Sequence, residues 1–105
     1  MALSFSHHHD ADAVTVAAHG EVDLSTADDL SRALEAAVAG PATAVTVDLG
    51  GVTFLDSAGI NVLLRGRRLA DERGRSYQVT NAQGMVGQLL RMTGVWDHLT
   101  TAARG

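Results

Sequence analysis

The most constraining feature of this chain is an alternation of periodicities in its second half. A run rich in β-branched residues, Ala44-Val45-Thr46-Val47-Asp48-Leu49, leads through Gly50-Gly51 and the short apolar piece Val52 to Leu55 into a helical pattern from about Ser57 to Arg73. Within that pattern Ile60, Leu63, Leu64 and Ala70 can face a sheet, while Arg65, Arg68, Asp71 and Glu72 face water, and Gly74 ends it. Tyr77 to Thr80 then reads as another strand. Strands separated by a single helix with short connections are joined as β-α-β crossovers, which are nearly always right-handed.

The same alternation extends both ways. Leu3 and Phe5 alternate with Ser4 and Ser6, and Val14, Val16 and Ala18 alternate with Thr15, Ala17 and His19, so both segments read as strands of an antiparallel pair. His7-His8-His9-Asp10 reads as the turn between them, and Gly20-Glu21-Val22-Asp23 as a loop before a helix. That helix runs from Ser25 or Thr26 to about Ala39, with Leu30, Ala33, Leu34, Ala37 and Val38 on one face. Ser25 with Asp28, or Thr26 with Asp29, supplies its N-cap and an acid near its positive end, and Gly40-Pro41 stops it. Met85 to Met92 reads as a third helix and Trp96 to Thr100 as a last short strand. The order β-β-α-β-α-β-α-β predicts an α/β fold with a mixed sheet of about five strands. If successive strands are neighbours, the helices share one face.

Composition removes several classes of function. The 105 residues fit a single domain, 1–105, with 46% apolar and 19% charged residues, the balance of an ordinary globular chain. The absence of cysteine excludes thiol catalysis, disulfides and Cys-based zinc sites. All eight basic residues are Arg, and a net charge of −4 argues against nucleic acid as a partner. Apolar runs of a few residues fall far short of the roughly 20 needed for a membrane span, and no secretory segment follows Met1, so a cytoplasmic location is expected.

The segment with chemical content is Asp56-Ser57-Ala58-Gly59, where strand hands over to helix. A serine there lies beside unpaired backbone N–H groups, a position that suits a phosphate. Asp and Ser are also the commonest helix caps, so the tetrapeptide alone reads first as a structural cap. The wider pattern carries more. Gly20-Glu21-Val22-Asp23-Leu24-Ser25-Thr26-Ala27, then Val47-Asp48-Leu49-Gly50-Gly51-Val52-Thr53-Phe54-Leu55-Asp56-Ser57-Ala58-Gly59-Ile60, and finally Val86, Leu89, Leu90, Thr93 and Gly94, together resemble the STAS family of anti-sigma-factor antagonists over residues 13 to 99.

The resemblance implies a phosphorylation switch. In that family the Ser or Thr after the Asp of the Asp-Ser/Thr-x-Gly motif is phosphorylated by the partner anti-sigma factor, a serine kinase; here that residue is Ser57. The next position, often Ser or Thr in relatives, is Ala58. Glu21 and Asp23 match the loop that meets the kinase together with the phosphoacceptor region, so Glu21, Asp23, Asp56, Ala58 and Gly59 are the implied partner-binding residues. A serine phosphatase is the implied second partner. STAS domains also dock on the ATPase of lipid-transport ABC complexes without a phosphorylation cycle, which is the competing implication.

Other constellations are weaker. His7, His8 and His9 sit next to Asp10 and Asp12, but adjacent residues of an extended segment point to opposite faces, so no metal site is expected. Asp56 and Ser57, being adjacent, do not make a catalytic triad with His19 or His98, and no Gly-x-Ser-x-Gly elbow is present. Gly50-Gly51 lacks the Gly-x-x-x-x-Gly-Lys phosphate loop, so neither catalysis nor a cofactor is expected, and ATP would belong to the partner.

Overall fold

A computed structural model describes residues 3–99. The elements run β1 (Ser4–Asp10), β2 (Ala13–Val22), α1 (Ala27–Ala39), β3 (Ala44–Leu55), α2 (Ser57–Glu72), β4 (Ser76–Thr80), α3 (Gly84–Met92) and α4 (Val95–Leu99). The sheet has four strands in the order β1-β2-β3-β4, with β1 antiparallel to β2 and the other neighbours parallel. It is the mixed α/β architecture read from the periodicities, with one strand fewer than the five expected.

The missing strand is α4. Val95 and Trp96 are half-buried and Leu99 is fully buried, a spacing of three and four residues that one helical turn gathers onto one side. Gly94, at φ 76°, reverses the chain after α3 and delivers that turn against α2 and β4. Thr100, the last residue of the expected strand, lies outside the described residues.

Three further boundaries differ from expectation. The histidine run is strand, not turn: His7, His8 and His9 pair with Val16, Thr15 and Val14, and the chain reverses at Ala11-Asp12, with Ala11 at φ 55°. Pairing to β2 overrides the polar composition, which an edge strand tolerates because its side chains reach water. Glu21 stands on β2 opposite Phe54, not in a loop. Gly50-Gly51 does not interrupt β3, because register shifts between Ala17 and His19, and between Gly20 and Glu21, absorb the irregularity. The His19 ring lies where a side chain at Gly51 would stand.

Alternation along the strands separates the two faces of the sheet. Val14, Val16, Ala18 and Val22 of β2, Val45, Val47 and Leu49 of β3, and Tyr77 and Val79 of β4 join Leu30 and Leu34 of α1 and Leu63 of α2 in one buried core. The opposite face carries Thr15, Thr46, Asp48 and Gln78, with the Gln78 amide donating to Thr46 Oγ1 at 3.3 Å and the Asn81 amide to Asp48 Oδ1 at 3.0 Å. One face is therefore covered and the other hydrated. The C-terminal end of α1 is closed from a distance: Arg75 donates to the carbonyls of Val38 at 3.4 Å and Gly40 at 3.0 Å.

Tyr77 is the largest fully buried side chain, and its hydroxyl donates to the Leu63 carbonyl at 2.9 Å. A Cβ at Gly66 would lie 2.8 Å from that oxygen, so Gly66 is what lets α2 cross the ring. Burial pushes the phenol pKa well above its ordinary value of 10.0. The folded state thus favours the neutral phenol, and this contribution is intact below pH 10 and lost as pH rises toward the folded value. Tyr77 is the only Tyr and the chain has neither Lys nor Cys, so no other side chain titrates between about pH 9 and 11.5. The thermal midpoint should fall over this range in the native chain and stay flat in Tyr77→Phe.

Candidate functional site

The site forms at the carboxyl ends of β2 and β3, where open parallel sheets present their loops. Val22 pairs with Leu55, and the Asp56 N–H donates to the Val22 carbonyl at 3.2 Å. The β2–α1 turn and the start of α2 are therefore side by side. This contact brings the turn that carries Asp23 to the Asp56-Ser57-Ala58-Gly59 segment, while Glu21 stands on β2 opposite Phe54.

Each residue of that segment has a distinct task. Asp56 is the N-cap of α2, in extended conformation, and its Oδ1 accepts from the N–H groups of Ala58 at 2.9 Å and Gly59 at 3.2 Å. Two of the free amides of the helix start are thereby satisfied. Ser57 is the first helical residue and is exposed, while Ala58 is half-buried against the core. Gly59 is buried, and a Cβ there would collide with Leu55 Cδ1 and lie 2.7 Å from Val22 Cγ1. The motif thus contains a cap, an outward hydroxyl and a glycine required by packing. Asp56→Ala should cost about 1 kcal/mol in chemical denaturation by losing the cap, whereas Ser57→Ala should be nearly neutral.

The neighbouring turn is tied down more firmly than the sequence suggests. Asp23 Oδ1 accepts from the Ser25 hydroxyl at 2.7 Å and from the N–H groups of Ser25 at 2.9 Å and Thr26 at 3.2 Å. These bonds, that from the Ser25 hydroxyl foremost, hold the Asp23 carboxyl below its ordinary pKa. Thr26 occupies the N-cap position of α1 but does not cap it: its hydroxyl donates to the Glu21 carbonyl at 2.8 Å and receives the Asp23 N–H at 3.0 Å. The Ser25 and Thr26 caps inferred from spacing are replaced by an Asp23 carboxylate that closes the turn. Thr26 was identifiable only as a possible cap, because its actual partners are set by loop geometry.

Beside the site, β4 pairs only with residues 44–48 of β3, and α3 flanks the distal half of that strand. Between them lies a groove of about 270 Å³ lined by Phe54, Leu55, Met85, Val86, Leu89 and Met92, with Gln88 at its side. Phe54, Met85 and Met92 are exposed. Among the described residues no group of three or more His, Asp or Glu side chains is placed to hold a metal ion, and no helix is long and apolar enough to cross a membrane.

The carboxyl edge of this mixed α/β sheet thus displays one exposed serine beside the Asp23 turn, and comparison with known proteins identifies the family. Residues 5–101 match the family described as "Mlab, STAS domain", and the chain belongs to the STAS-domain family. No curated protein matches in sequence. Among solved structures, an anti-sigma factor antagonist from Mycobacterium paratuberculosis is similar with TM-score 0.79 and 26% identity, covering 93% of this chain and 83% of that one. The unphosphorylated anti-sigma factor antagonist SpoIIAA aligns with TM-score 0.76 and 18% identity, covering 90% and 84%. The phosphorylated form of the Bacillus cell fate determinant SpoIIAA aligns with TM-score 0.68 and 18% identity, covering 89% and 87%.

Proposed function

We propose that this chain is a cytoplasmic anti-sigma factor antagonist, a single-domain binding protein whose state is set by phosphorylation of Ser57. In the unmodified state it binds an anti-sigma serine kinase and releases the sigma factor that the kinase holds. The kinase, which supplies the ATP, phosphorylates Ser57 and so ends the complex, and a serine phosphatase restores it. The chain is a substrate in this cycle, not an enzyme, and needs no cofactor, membrane or nucleic acid. Glu21, Asp23, Asp56, Ala58 and Gly59 contribute the surrounding contact surface.

The observation that carries this reading is the exposed Ser57 hydroxyl at the first turn of α2, with Asp56 holding the helix start in place. Support comes from the fold shared with a relative that exists in phosphorylated and unphosphorylated forms. Adding the unmodified chain to a preformed complex of the kinase and its sigma factor tests the reading. Sigma factor should leave in proportion to added chain, and a complex that persists at saturating chain would contradict it.

The family description favours one competing reading, because it names Mlab. In that reading the chain docks on the ATPase of a lipid-transport ABC complex, and Ser57 is a contact residue that is never modified. Recovery of a transporter ATPase without any kinase in an affinity capture would support this reading against the first.

A further inference from the structure

The histidine run is strand and not turn, and this changes what it can bind. Adjacent strand residues diverge, which separates His8 from its neighbours, but residues two apart share a face. His7 pairs with Val16 and His9 with Val14, and both valines belong to the core. His7 and His9 therefore stand on the helix-covered face of the sheet, in line with Phe5, which is half-buried against the core. His8, opposite Thr15, stands on the hydrated face. The alternation asks for apolar residues at 7 and 9, and two imidazoles occupy those positions instead. Both residues line one hollow of about 200 Å³, together with Val14 and the end of α1 at Ala36, Ala37 and Gly40. Their Cα atoms are two strand steps apart, about 6.8 Å, a span that two imidazoles close on one ion at about 2.0–2.1 Å from each nitrogen. Both residues are exposed, so an ion reaches them from solvent. The carbonyl end of α1 is the negative pole of that helix and favours a cation beside it. Arg75 takes the Val38 and Gly40 carbonyls there and stands outside the lining of the hollow.

We propose that His7 and His9 form a two-histidine site for a divalent transition-metal ion such as Zn²⁺, with water completing its coordination. Imidazole suits Zn, Cu and Ni ions, whereas Mg and Ca take oxygen ligands. The expectation of no metal site holds for neighbouring histidines and fails for this pair. Two protein ligands make an open site with an exchangeable ion. It lies toward the start of β2, away from the Val22 end that adjoins Asp56, so it stands independently of any role of Ser57.

Calorimetric titration of the native chain, His7→Ala, His8→Ala and His9→Ala with zinc chloride tests this, with imidazole and amide spectra recorded for each. The native chain should take up Zn²⁺ with spectral shifts at His7, His9, Val14 and Val16. His7→Ala and His9→Ala should each bind about tenfold or more weakly, because the second imidazole no longer acts at the high effective concentration that the shared strand gives it. His8→Ala should keep native affinity, and magnesium chloride should give no binding. A loss in His8→Ala equal to that in the other two variants overturns the shared-face site, since the run would then bind as a flexible segment. A native chain that takes up no Zn²⁺ overturns it as well, and so does one that binds Mg²⁺ equally, which would put the ion on Asp10 and Asp12 instead.

Discussion

Phosphorylation of Ser57 should weaken the complex with the kinase about a thousandfold and leave the fold of the free chain unchanged. A phosphate adds about −1.5 to −2 charge at a position already next to Asp56. When the unmodified hydroxyl is covered by a partner, a phosphate in its place must be desolvated against like charge. A cost of about 4 kcal/mol corresponds to the thousandfold loss. The free chain escapes this cost because Ser57 is exposed and lies at the positive end of α2. Calorimetric titration of the two forms measures the affinity ratio, and amide spectra measure the fold. Shifts spread through the core residues of β2 and β3 would mean that the switch acts by unfolding.

The second large effect concerns packing under the site. Gly59→Ala should destabilise the chain by about 1–3 kcal/mol, although alanine is the better helix former by about 1 kcal/mol. The new methyl meets Leu55 and Val22, both buried in the core, so neither can move aside freely. For a domain of this size each kcal/mol lowers the thermal midpoint by roughly 4–8 °C. Combining Gly59→Ala with Leu55→Ala should cost less than the sum of the two, because the second change opens the space that the first one fills. Strict additivity would show that the methyl is accommodated elsewhere.

The parts of the fold legible in the sequence are those where local pattern and tertiary demand agree. The amphipathic stripe Leu30, Leu34, Ala37 and Val38 and the run from Val45 to Leu49 specify α1 and the first half of β3 without help from distant contacts. Where the two conflict, the pattern misleads. The histidines of β1 are strand only because β2 supplies a pairing edge, and β3 continues through Gly50-Gly51 only because β2 shifts register beside it. The run Trp96 to Thr100 reads as a short strand, but a five-residue helix, Val95–Leu99, puts Leu99 into the core.

The candidate site divides in the same way. Asp56, Ser57 and Gly59 are contiguous, so their order alone reveals the motif, although not which residue caps and which is presented. The roles of Asp23 and Thr26 depend on bonds across the turn, and the closure of α1 by Arg75 depends on a contact across more than thirty residues. The Asp56 cap and the Asp23 turn are linked through a single backbone bond to Val22, which no local pattern encodes.

The central claim is that Ser57 is the phosphoacceptor. Incubating the native chain and Ser57→Ala with ATP and the anti-sigma kinases encoded in the same genome, then locating any added phosphate by mass spectrometry of the peptide spanning Asp56 to Gly59, tests it most directly. The claim predicts one phosphate on Ser57 of the native chain and none on the Ser57→Ala chain. A native chain left unmodified by every kinase, or a phosphate that persists in Ser57→Ala, would contradict it.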